Sequence, residues 1–170
     1  NYLERIDYLK EECEKSQGHI TYADNEIFYI DDTRIISSTL WSNFNHFSPL
    51  LVSSCEHRMN DYKFINIKGF FEKNTQLREI YAQIYENYKK DIQAILRGNN
   101  IKIIMENFND IHSSFNLPFN NIKEMLENMP YTGDRFSPAF SYLLHLNSVD
   151  FLEKAIKEPH IGKTLIMTHH

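Results

Sequence analysis

GKTLIMTHH, Gly162 to His170, is the stretch on which the fold turns. Lys163 to Thr168 is a short apolar run behind a glycine, the pattern of a buried strand. The residues before it read as a helix. Ser137-Pro138 offers an N-cap with proline at the first helical position, Leu143, Leu144, Phe151, Leu152 and Ile156 continue the apolar spacing, and Pro159 ends it. Helix, short loop and apolar strand form the half-unit of a layered α/β fold. Such a strand delivers His169 and His170 to its carboxyl end, where open α/β sheets build their sites. Neutral imidazole is a ligand for zinc, iron, nickel and copper, and for manganese when carboxylates complete the shell. Successive strand residues face opposite ways, so the two histidines do not serve one ion equally. A terminal His-His pair also fits a residual cloning tag.

Working outward, Glu26 to Ile30 (EIFYI) and Thr33 to Thr39 (TRIISST) are rich in β-branched and aromatic residues and flank Asp31-Asp32, a pair suited to a tight turn. This is a β-hairpin. The following LWSNFNHFSP mixes large aromatics with polar residues up to Pro49 and reads as an irregular loop. Leu3, Ile6, Leu9 and Cys13 recur at helical spacing between charged residues, with Gly18 beyond, so Tyr2 to Lys15 is an amphipathic helix. A longer helix carries Leu77, Ile80, Tyr81, Ile84, Tyr88, Ile92 and Ile95 on one face and closes at Gly98-Asn99-Asn100. Helical patterns continue over Ile101 to Phe115 and Asn121 to Met129, which makes 72–131 mostly helical.

Composition narrows the function. A chain of 170 residues with 42% hydrophobic content supports one buried core, and a net charge of −5 without a basic stripe disfavours nucleic acid as a partner. Cys13 and Cys55 are far apart and form neither a disulfide framework nor a zinc knuckle, which fits a reducing, cytoplasmic setting. No apolar run approaches the roughly 20 residues that cross a bilayer, so no membrane partner is expected. The abrupt start without Met and the stop on His170 suggest cut ends.

Four ordered pieces of the chain resemble the calcineurin-like metallophosphoesterases. IDDTRIISSTLWSNF, Ile30 to Phe44, is similar to the strand, turn and Thr-Leu-Trp segment of one large branch of that family. MNDYKFI, Met59 to Ile65, resembles its short Asp-Tyr motif. Phe136-Ser137-Pro138, with His145, Ser148, Phe151 and Leu152 on the helix that follows, resembles its Ser-Pro start and H-x-x-S helix, and Gly162 to His170 its glycine-led strand ending in Thr-His-His. The family carries its Asp-x-His, Gly-Asp and Gly-Asn-His-Asp/Glu motifs before the first helix and its final Gly-His-x-His after the Thr-His-His strand, and at those places this sequence has none of them.

The resemblance implies an α/β fold, part of a metallophosphoesterase sandwich of sheet layers flanked by helices. Residues 1–170 would be a partial domain, inactive alone on generic phosphoesters, with 72–131 a mostly helical insertion or cap. It implies hydrolysis of phosphate esters by a hydroxide activated between two divalent ions (Mn, Fe, Zn or Ni) roughly 3.5–4 Å apart. His170 corresponds to a family metal ligand, with His169 the fallback, and Trp41, Ser42, Asn43 and Asp61 stand where substrate would be contacted.

Other readings stay open at these positions. A lone tryptophan after a strand is more often core, and Asn60-Asp61 suits a turn. His46, His57 and His112 have no ligand spacing, and His145 with Ser148 lacks an acid partner for a hydrolase triad. Tyr81, Tyr85 and Tyr88 read as a packing stripe with wet hydroxyls. The alternative function is a non-catalytic binding or regulatory module on a degenerate phosphoesterase scaffold, whose helical insertion meets a protein partner. A third option is a small helical domain with a tag.

Overall fold

The computed structural model describes residues 1–97 and 134–169; within the Pro49–Arg58 and Thr75–Arg97 helices a few residues are described by backbone alone. Asp31 and Asp32 turn the chain between β1 (Glu26–Ile30) and β2 (Thr33–Thr39), which pair antiparallel with Ile30 opposite Thr33. Asp31 takes a left-handed φ of 52°, a conformation that Asp tolerates better than most side chains. This is the hairpin expected from the β-branched runs. The third strand, β3 (Lys163–His169), lies parallel to β2 on the other side, giving the order β1-β2-β3 with Thr33 opposite Lys163 and Thr39 opposite His169.

By internal packing the chain divides into two compact units, Asn1–Asn43 with Ser141–His170, and Phe44–Phe140. In the first, the sheet is centred on β2, where Ile35 and Ile36 are buried. The Pro138–Lys157 helix follows the expected grammar: Ser137 Oγ accepts the N-cap bond from the Phe140 N–H at 3.2 Å, and the helix stops two residues before Pro159. Leu143 and Ala155 are buried along it, whereas Ile156, assigned to the same apolar face from the sequence, is exposed. Arg34, itself buried, donates from Nη1 to the Glu158 carbonyl at 2.7 Å. A guanidinium there satisfies a carbonyl at the helix end and complements the negative end of the helix dipole.

Gly162 makes the turn into β3 with φ 144°. A Cβ there would overlap the Asp32 carbonyl and lie 2.9 Å from His160 Nε2, which itself donates to the Asp32 carbonyl at 3.0 Å. Only glycine lets the end of the helix and the hairpin turn meet so closely. The Tyr2–Lys15 helix forms as its spacing predicts, with Asn1 Oδ1 accepting from the Leu3 N–H at 3.1 Å, but it ends on Ser16, not at Gly18.

One expectation about β3 is overturned. The apolar run reads as a buried strand, yet all seven of its residues are exposed, Leu165, Ile166 and Met167 at 49%, 45% and 50%. An apolar strand sequence records what the strand can be packed against. The described residues pair it along one edge and leave both faces open.

The second unit is aromatic. Phe70, Phe136 and Phe140 meet edge to face, with ring centroids 4.8 and 5.2 Å apart for Phe70–Phe140 and Phe136–Phe140, and Tyr62 stacks on Phe136 at 5.8 Å. Along the Thr75–Arg97 helix, Tyr81, Ile84 and Tyr88 are buried as the spacing predicts, while Ile80 is exposed. The tyrosine hydroxyls are not wet at both ends of that stripe. Tyr81 shares a buried 3.0 Å hydrogen bond with Ser137, and Tyr88 Oη is buried with no hydrogen-bond partner among the described residues. Of the expected helical region 72–131, residues 98–131 lie outside the described residues, as does His112.

The loop from Leu40 to Pro49 is more ordered than its composition suggests. Phe44, Asn45, His46 and Phe47 all have φ between 49° and 61°, a single left-handed turn closed by Ser48 N–H donating to the Phe44 carbonyl at 2.9 Å. Residues three apart then share a face, which buries both Phe44 and Phe47 and sets Phe47 edge-on to Tyr88 at 5.4 Å. A helix not anticipated from the sequence, Pro49–Arg58, follows with proline at its start. Asn60-Asp61 opens a single helical turn, Asp61–Phe64.

Candidate functional site

The parallel pairing of β2 and β3 brings together two segments 130 residues apart in sequence. Thr39, the last residue of β2, stands opposite His169, the last of β3. The segment Leu40–Asn43 and the histidine end of β3 therefore leave the sheet from the same carboxyl edge, the position at which open α/β sheets hold ligands. His169 is exposed there. His170 lies outside the described residues.

The exit of β2 is held from two sides. On one side the Ala23–Asn25 segment straps it: Ser37 Oγ donates to the Ala23 carbonyl at 2.9 Å, Ser38 Oγ to Asn25 Oδ1 at 2.6 Å, and the Thr39 N–H to Asp24 Oδ1 at 2.8 Å. Asn25 adopts a left-handed φ of 56° in this strap. On the other side stands the Pro138–Lys157 helix. Ser148, buried, donates to the Thr39 carbonyl at 3.0 Å, and His145 Nδ1 lies 2.6 Å from the Trp41 carbonyl. A carbonyl only accepts, so Nδ1 carries the hydrogen of this bond. The Trp41 N–H turns back onto the Thr39 carbonyl at 3.2 Å, a three-residue turn over Leu40.

Residues three apart on a helix share a face, which is why His145 and Ser148 reach carbonyls two residues apart on one extended exit. Tyr142 stacks nearly parallel to the His145 ring, 6.3 Å away. The sequence does place this pair on one face. Their partners, however, are backbone carbonyls and not the acid that a hydrolase triad requires. The signal that locates them is the three-residue His-to-Ser spacing on a helix that precedes a parallel strand.

Of the residues proposed to contact substrate, Trp41 is half-buried and Ser42 and Asn43 are exposed at the β2 exit in the first unit. Asp61 is exposed and belongs to the second unit, at the start of its single-turn helix. His46 is exposed within the left-handed turn. Among the described residues no group of three or more His, Cys, Asp or Glu side chains comes close enough to hold a metal ion, and Cys13 and Cys55 are free thiols. No helix among them is long and apolar enough to cross a membrane. Comparison with protein-family models, curated proteins and solved structures finds no match.

Proposed function

We propose that the chain is part of a metal-dependent phosphoesterase with a calcineurin-like sandwich, hydrolysing phosphate esters, in which β1-β2-β3 belongs to one of the two sheets. The observation that supports this is the register of β2 and β3: the Thr-Leu-Trp and Thr-His-His segments, each singled out by resemblance, end side by side at the carboxyl edge of one sheet. In this reading His170 is a metal ligand, with His169 as the fallback, and Trp41, Ser42 and Asn43 face the ester. Two divalent ions would supply Lewis acidity and an activated water. A centre of that kind needs several imidazole and carboxylate ligands, and the described residues do not fit it alone. The ligands beside His170 must then come from outside the described residues.

The test is metal content and turnover of p-nitrophenyl phosphate and its diester by the full-length protein, beside His170→Ala. A metal ligand removed at this position should weaken metal retention by at least about tenfold and lower the rate with it, the scale seen even for supporting residues of metal sites. Unchanged stoichiometry and rate would remove His170 from the site. A full-length protein that takes up no metal and turns over neither ester would favour the non-catalytic binding module.

A further inference from the structure

We infer that His145 is a positioning residue for the substrate loop: through its Nδ1–H bond to the Trp41 carbonyl it fixes the Leu40–Asn43 segment at the carboxyl edge of the sheet. The ester as ligand rests on the phosphoesterase reading above; the pin itself does not. The geometry supporting the pin is on one helix face. Ser148 holds the Thr39 carbonyl at 3.0 Å and His145 holds the Trp41 carbonyl at 2.6 Å, so the two residues that bracket Leu40 are fixed by side chains spaced three apart. Carbonyls that leave the ladder of β2 need donors from elsewhere, and this helix supplies one to each. Thr39 keeps a second donor, the Trp41 N–H at 3.2 Å. For the Trp41 carbonyl, His145 is the donor that ties the loop to the helix. The helix runs directly into β3 through Gly162, so the same element that carries the pin delivers His169 to the same edge. Position, not proton transfer, is the role this geometry assigns.

The test uses donor placement. Asparagine puts its N–H₂ one bond from Cγ, as Nδ1 is, whereas glutamine places it one bond further out, so His145→Asn keeps the donor and His145→Gln displaces it. Trp41 is the sole tryptophan of the chain, so its fluorescence reports the loop directly. With one neutral hydrogen bond lost, the open population of the loop should rise about fivefold. We expect H145Q to show a red-shifted Trp41 emission and at least about twofold greater acrylamide quenching, with H145N matching the wild type. In the full-length protein, KM for the p-nitrophenyl ester should rise about fivefold in H145Q with kcat changed less than about twofold, and H145N should restore it. If H145Q does not fold, His145→Ala replaces it with the same expectation. Equal behaviour of H145N and H145Q, whether both intact or both impaired, overturns the donor role. Absence of hydrolysis by the wild type overturns the ester and leaves the fluorescence result to decide the pin.

Discussion

Glu56 stands half-buried on the Pro49–Arg58 helix, and burial raises its carboxyl from the ordinary 4.5 to about 7, against the opposing pull of Arg135. Tyr88 feels the same neighbourhood: burial first, then the Glu56 and Tyr85 charges, drive its phenol well above the usual range. Because the folded-state value of Glu56 lies above the unfolded one, the group's contribution to stability is complete below about pH 4.5 and is lost as pH rises through about 7. Above that pH the folded protein holds a poorly solvated carboxylate. Glu56→Gln keeps the shape and cannot ionise. Its stability relative to wild type should therefore be near zero at pH 4, grow between pH 4.5 and 7, and level off at about 2 kcal/mol in its favour. Urea midpoints of the two proteins at pH 4, 6 and 8 check this; a difference that does not change with pH would show that Glu56 ionises freely in the folded state.

At the scale of elements, the left-handed turn Phe44–Phe47 is the strained piece. Four consecutive non-glycine residues with positive φ cost about 1–2 kcal/mol each by steric crowding of Cβ. The burial of Phe44 and Phe47 offsets that cost, since a right-handed turn would present the two rings from a different face. His46 takes the strain without contributing a buried side chain, being exposed. Replacing it with glycine removes the Cβ penalty at a position where nothing apolar is lost. His46→Gly should stabilise the protein by about 1 kcal/mol, while His46→Val, branched at the crowded carbon, should destabilise it by at least as much. Thermal melts of both variants decide the matter. A destabilised glycine variant would mean that the turn relaxes to ordinary backbone in solution.

At the scale of the molecule, what was legible in the sequence was what local chemistry dictates. The Asp31-Asp32 hairpin, the Ser137 cap, the stop before Pro159 and the Gly162 turn each follow from one or two residues, and the structure carries all of them. The helix Pro49–Arg58 and the left-handed turn before it were not legible, because they are set by where Phe44 and Phe47 pack and not by their own periodicity. The site was legible in part. Trp41 and His169 stand out in the sequence as separate motifs, but that they leave one sheet edge depends on β2–β3 register across 130 residues, and that His145 serves a carbonyl depends on the helix lying beside that edge. Burial was the quantity least available from sequence. β3 has the composition of a core strand and the exposure of an edge, with Leu165, Ile166 and Met167 each about half open.

Among the described residues β3 pairs with β2 alone, and an apolar strand whose outer edge is open is a template for further pairing, so the 170-residue chain should self-associate. Ile166, at the centre of β3, is where a charge would interrupt such pairing most. Light scattering across a concentration series should show growing mass for the wild-type chain and much less for Ile166→Lys, with circular dichroism unchanged between them. A lysine at an exposed edge position costs little; at a position packed against other chain it would leave a buried, unpaired charge and unfold the strand. The second outcome, a lysine variant that loses its β signal, would show that β3 is covered in solution, as its apolar composition first suggested.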